Sequence, residues 1–168
     1  EDKLDVDKPL IICSPDNMSE AAQRNVIDFV ERGGKLLLLL TIPVTDNDFE
    51  PCTELRDFIG DVQFAENDSR DSVTLIGGRR VFRINCANKL VKLPVGAEVF
   101  ATDSTGENVL GFKKRFGNGE IVYLGGTWLT TDFNQAAMLE DILAGFGAKP
   151  CVENSNRTVY ATMFEDSD

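Results

Sequence analysis

Apolar residues first gather at 9–13, Pro-Leu-Ile-Ile-Cys, a short continuous run of the kind a strand shows when it is buried on both faces of a parallel sheet. Ser-Pro-Asp-Asn turns the chain, and the period then changes. Ala22, Val26, Phe29 and Val30 fall on one helical stripe, while Glu20, Arg24, Asp28 and Glu31 face away from it. Ser19 or Asn17 is placed to cap this helix, Glu20 suits the positive end of its dipole, and Gly33-Gly34 supplies a left-handed stop. Leu36 to Leu40 follows as five successive leucines, too short after that stop for a second helix and too apolar for a half-exposed strand. Residues 9–43 therefore read as a βαβ unit whose second strand lies near the middle of the sheet.

The rest of the chain is placed around that unit. Residues 1–7 are an acidic lead-in without pattern, and 41–50 form a polar loop. Pro51 suits the first turn of a short helix through Leu55, Phe58 and Ile59, which Gly60 ends. From residue 61 short, partly alternating segments at 61–66, 72–77, 80–85, 97–103 and 109–116 are separated by turn-rich stretches, among them 88–96. They predict antiparallel strands appended to the parallel core. Gly117-Asn118-Gly119 tolerates positive φ and joins the last of these to a buried strand at 121–124. A helix over 134–146 follows, with Asp132 as its cap, Gln135 as the capping partner, and Leu139, Ile142, Leu143 and Phe146 as its stripe. Residues 158–164 offer one more strand.

Composition narrows the function. The chain has 168 residues, enough for one domain with a real core, and 17 basic against 28 acidic side chains give a net charge of −11. Nucleic acid and anionic membrane are poor partners for that surface, because phosphate binding depends on Lys and Arg. There is no histidine, which excludes Cys-His, Ser-His and two-histidine metal schemes. Cys13, Cys52, Cys86 and Cys151 form no C-x-x-C pair, and the expected metal and cofactor complement is none. No apolar run approaches the ~20 residues of a membrane span, and no signal-peptide pattern opens the chain. It starts at Glu1 without a methionine, as a processed chain or a piece of something longer.

Three passages, at 9–43, 112–126 and 134–147, carry a resemblance through their order. An apolar strand, a helix ending in F-V-x-x-G-G-K, an apolar strand and later F-G-x-G-x-I-x-Y-L-G together resemble the class I glutamine amidotransferase-like fold, in particular the non-catalytic version found as a middle, trimerisation domain in β-galactosidases. The resemblance implies an α/β, three-layer, flavodoxin-like fold with a mainly parallel sheet plus appended antiparallel strands over residues 1–150. Residues 151–168 look like the start of a following β-domain. Active amidotransferases carry a G-x-C-x-G nucleophile elbow and a histidine base; neither exists here, so the resemblance implies a non-catalytic domain of a glycoside hydrolase. The implied partners are neighbouring domains of the parent chain and a further copy in a homo-oligomer; carbohydrate is an alternative partner that rests on the crevice residues instead.

Ligands of such sheets bind outside the carboxyl ends of the parallel strands. The loops expected there hold Asp16, Asn17, Asp46, Asp48, Trp128 and Asp132. An aromatic ring beside carboxylates and amides can stack on a sugar and bond its hydroxyls, so Asp16, Asn17, Asp46, Trp128 and Asp132 are the candidate ligand or interface residues. The plainer reading is that Asp16, Asn17 and Asp132 serve turns and caps, that Asp46 and Asp48 are a solvated loop, and that Trp128 packs or anchors an interface. Two other readings stay open, a carbohydrate-binding module and a small hydrolase with an unrecognised carboxylate site. Gly77-Gly78 and Gly125-Gly126 match no phosphate-loop pattern. Lys113 and Arg115 belong on one face of their strand and Lys114 on the other.

Overall fold

The computed structural model describes residues 3–14, 16–65, 71–75, 78, 80–84, 88–126 and 133–149. Within them the chain runs β1 (Leu10–Ser14), α1 (Glu20–Glu31), β2 (Lys35–Leu40), α2 (Glu54–Ile59), β3 (Gln63–Ala65), β4 (Asp71–Leu75), β5 (Arg80–Ile84), β6 (Lys89–Lys92), β7 (Glu98–Thr102), β8 (Val109–Phe116), β9 (Gly119–Leu124) and α3 (Phe133–Gly145). One sheet joins the strands in the order β1-β2-β9-β8-β7-β4-β5, with β6 paired to β8 and β3 to β6. No helix among the described residues is long and apolar enough to cross a membrane.

The βαβ unit forms as its pattern dictates. Ser19 caps α1 by accepting from the Ala22 amide at 3.3 Å. At the other end the amides of Gly33 and Gly34 donate to the carbonyls of Val30 and Phe29, both at 2.9 Å, with Gly33 at φ 105°. β1 and β9 both flank β2 in parallel register. The five leucines of β2 then divide by alternation. Leu36 and Leu38 enter a cluster with Val26, Phe29 and Val30 of α1 and Leu55 and Ile59 of α2, whereas Leu37 and Leu39 enter one with Met138 and Ile142 of α3. A run apolar at every position is needed because both faces of β2 are covered.

The parallel core is smaller than the pattern implies. Among the described residues parallel pairing between strands is confined to β1–β2 and β2–β9, and the other strand pairs are antiparallel. The reason is the connections: only α1 is a crossover helix between adjacent parallel strands, while β8 and β9 are joined by Gly117-Asn118 alone, with Phe116 opposite Gly119. Residues 88–96, expected to be a separator, contain β6, whose Leu90 is buried while Val91 is exposed. Two lysines bracket those apolar residues and hide the strand from a pattern search. Pro51 does not open α2. It lies in an antiparallel bridge with Thr45, and the helix starts three residues later. The buried face of α3 is Gln135, Ala137, Met138 and Ile142, so the expected stripe is rotated; Leu139 and Phe146 are only partly buried. The expected cap Asp132 and the strand at 158–164 lie outside the described residues.

The charged face of β8 follows the expected alternation. Lys113 and Arg115 approach the buried carboxylate of Glu120 at 3.2 and 3.6 Å. Lys114 points the other way, donating to the Ile59 carbonyl at 2.6 Å and lying 4.9 Å over the Phe116 ring.

Candidate functional site

The carboxyl ends of β1, β2 and β9 carry the candidate site. Two loops meet there. The Asp16 carbonyl accepts from the amides of Val44 at 2.9 Å and Thr45 at 3.2 Å, Asn17 bridges Thr45 in parallel, and the Met18 amide donates to the Thr45 carbonyl at 2.9 Å. The structure therefore brings Asp16, Asn17 and Asp46 onto adjoining segments, with the Asp16 side chain exposed and the other two half-exposed. Trp128 and Asp132 lie outside the described residues.

Asp46 is occupied by its own turn. Its Oδ1 accepts from the amides of Asp48 at 2.8 Å and Glu50 at 3.0 Å, and its amide donates to the Glu50 carbonyl at 2.8 Å. This is the local side-chain bonding that Asp brings to turns. The turn holds Phe49 at φ 62° with its ring 75% exposed. Below it a polar depression of about 410 Å³ is lined by Glu20, Asp46, Pro51, Cys52, Thr53, Glu54 and Asp57. Arg24 neutralises one side of that depression through Glu20 and Glu54. Among the described residues no group of His, Cys, Asp and Glu is arranged to hold a metal ion.

Behind the loops, the crevice between β2 and β9 is where a ligand would be expected, because the chain leaves β2 toward α2 and β9 toward α3, on opposite faces of the sheet. Three side-chain and main-chain groups meet there among the described residues. Leu40, at φ 76°, turns its carbonyl to accept from both the Tyr123 hydroxyl at 2.8 Å and Asn88 Nδ2 at 2.7 Å. The Asn88 amide donates to the Gly125 carbonyl at 3.0 Å. A Cβ on Gly125 would stand 2.5 Å from the Asn88 carbonyl oxygen and 3.0 Å from the Tyr123 hydroxyl, so only glycine fits. Burial pushes the Tyr123 hydroxyl well above the ordinary range; a hydrogen bond with Asn88 opposes this and the Asp16 charge adds to it. The phenol stays protonated at neutral pH and serves as a donor.

Sequence reasoning missed Leu40, Asn88 and Tyr123. The signal available for Tyr123 is its place in Y-L-G-G, where a tyrosine inside a buried strand precedes two glycines. Nothing local marks Asn88. The two cysteines described are Cys13, exposed at the end of β1, and Cys52, half-buried before α2.

The family model described as "GLMA-like, second domain" matches residues 1–95. An exo-β-D-glucosaminidase of Pyrococcus horikoshii is 33% identical over 89% of this chain, which spans 20% of that protein. A β-1,2-glucosyltransferase of Ignavibacterium album is 30% identical over 70% of this chain and 16% of its own length. Among solved structures, the β-galactosidase of Bacillus circulans sp. alkalophilus superposes with a TM-score of 0.62 at 18% identity, over 87% of this chain and 24% of that one. The chain thus spans about a fifth of the length of the curated relatives it matches.

Proposed function

The chain belongs to the GLMA-like second-domain family, and from that premise we propose that it is a non-catalytic structural domain of a β-galactosidase-like glycoside hydrolase. It packs against neighbouring domains or subunits, in a three-layer, flavodoxin-like arrangement with α1 and α2 on one face of the sheet and α3 on the other. Residues 151–168 begin the β-domain that follows. The observation that supports this reading is the hydrogen-bonded cluster at the carboxyl ends of β2 and β9. At the position where an α/β sheet binds its ligand, Tyr123 and Asn88 converge on the Leu40 carbonyl, and the sequence has no histidine to act there as a base.

The test uses the complete polypeptide and this chain alone, each assayed on aryl β-D-galactosides and aryl β-D-glucosaminides. Asp16→Ala and Asp46→Ala in the complete polypeptide are expected to leave kcat/KM within about twofold of the unsubstituted enzyme, because neither group meets the reacting sugar. Hydrolysis by this chain alone, abolished by Asp46→Ala, would overturn the reading in favour of a carboxylate site. Saturable quenching of Trp128 fluorescence by galactose or glucosamine would instead favour a carbohydrate-binding crevice that uses Trp128 and Asp132.

A further inference from the structure

Cations gather at the amino ends of the central strands. Lys35 opens β2, Glu120 lies opposite it in β9, and Arg115 lies opposite Glu120 in β8, so these residues form one row across adjacent strands. Lys113 stands two residues along β8 on the same face. The row shares the side of the sheet that carries Leu37, Leu39 and Val122, and it lies beside the last residue of α3. A polar cleft of about 360 Å³ opens there, lined by Lys35, Lys113, Arg115, Asn118, Glu120 and Gly145. Glu120 is buried, and its Oε2 meets both Lys113 and Arg115, the latter with its side chain 77% exposed. Lys35 Nζ donates instead to the Asn118 carbonyl at 2.9 Å.

The charges in this cleft do not balance. Among the described residues Glu120 is the carboxylate that meets these cations, and Lys113 at 3.2 Å is enough to neutralise it. The carbonyl end of α3 offsets roughly half a charge more, which leaves a surplus of roughly +1.5. That surplus sits on a chain of net charge −11.

We propose that the cleft holds the acidic stretch 165–168, Glu-Asp-Ser-Asp, of this same chain. Charge, spacing and reach select that occupant. Lys35 and Arg115 are two strand separations apart, about 9–10 Å. Glu165 and Asp168 are i and i+3, which in an extended polyproline II run puts both carboxylates on one side about 9 Å apart. The described chain passes the cleft at Gly145 and ends at Lys149, and the residues from 149 to 165 can extend to about 50 Å, ample for a return. Exposed ion pairs are individually too weak to capture a free acidic peptide, but a tether presents the stretch at an effective concentration in the millimolar range. The contact fixes where the polypeptide leaves the domain, a role that rests on reading residues 151–168 as the start of a following β-domain.

A water-soluble carbodiimide, which joins carboxylates to lysine amines in contact without a spacer, tests this in the complete polypeptide. Peptide mapping of the monomer band of a denaturing gel is expected to find Lys35 or Lys113 joined to Glu165, Asp166 or Asp168. Arg115→Ala is expected to lower that yield about fivefold, and Arg115→Lys, which keeps the charge, to restore most of it. Neither changes the amide between Lys92 and Asp61, a separate exposed ion pair that reports on the reagent and the fold. Formation of the Lys92–Asp61 amide without any amide between the acidic stretch and the cleft overturns the proposal, as does a yield that Arg115→Ala leaves unchanged. The same residue pairs recovered only from a dimer band assign the cleft to a second copy and overturn it too. The functional reading fails separately: glycoside hydrolysis by this chain alone leaves the cross-link in place, and absence of the cross-link leaves the glycoside assays as they are.

Discussion

Gly117 and Gly119 stand two residues apart and are required for different reasons. Gly117 has φ 60° at the first turn position between β8 and β9, a conformation an L residue adopts at a cost of about 1–2 kcal/mol. Gly119 needs no special φ, but a Cβ there would lie 1.9 Å from the Val30 carbonyl oxygen at the end of α1. Gly119→Ala is therefore expected to cost about 3 kcal/mol or more in urea unfolding, and Gly117→Ala distinctly less. Equal losses would mean that α1 shifts to accept the methyl group. The turn is readable from Gly-Asn-Gly; the helix that crowds Gly119 is remote in sequence and is not. Phe49 is the reverse case, a large exposed side chain held at φ 62°. Phe49→Gly relieves that backbone at no loss of core packing and should stabilise this chain by up to about 1 kcal/mol, measured by the same unfolding assay.

Helices α1 and α2 are tied together by one amide that the apolar stripe did not reveal. Gln23 is fully buried: its Nε2 donates to the carbonyls of Met18 at 2.9 Å and Cys52 at 3.0 Å, and its Oε1 accepts from the Leu55 amide at 3.0 Å. That last bond satisfies one of the open amides in the first turn of α2, a helix whose N-cap residue Thr53 makes no side-chain cap. Gln23→Leu keeps the volume but strands one buried amide and leaves two carbonyls without this donor, so a loss of about 2–4 kcal/mol is expected. The sharper readout is hydrogen exchange, in which the Leu55 amide should speed up more than the amides of β2. The pattern of α1 was legible because helical periodicity repeats locally; a single polar residue on the buried face becomes meaningful only when another element brings it partners. The same contrast holds at β8. Alternation alone separates Lys114 from Lys113 and Arg115, but the buried Glu120 that gathers the latter two comes from the neighbouring strand.

At the scale of the whole molecule, two buried groups with opposite titration behaviour bound the stable range of pH. Asp103 is 3% exposed; burial alone would raise its pKa, but bonds from the Asn108 and Thr105 side chains and amides overcome this and lower it from 3.8 to about 2. A folded pKa below the unfolded value means stability that is present above 3.8 and lost as pH falls toward about 2. Tyr123 is displaced upward by burial, so its contribution is complete below the unfolded value of 10.0 and is lost as pH rises beyond it. Between these limits the chain starts from −11 at pH 7, and protonating exposed carboxylates on the way down relieves self-repulsion. Unfolding free energy should therefore hold steady or rise from pH 7 toward about 5, then fall below about 4. Asp103→Asn is expected to flatten the acid limb while costing stability at pH 7, because Thr105 and the Asn108 amide lose a charged acceptor. Tyr123→Phe should remove the alkaline limb and at neutral pH leave the Leu40 carbonyl with Asn88 as its side-chain donor. If Asp103→Asn retains the full acid limb, other carboxylates govern acid unfolding and the turn at 103–108 is not the limiting element.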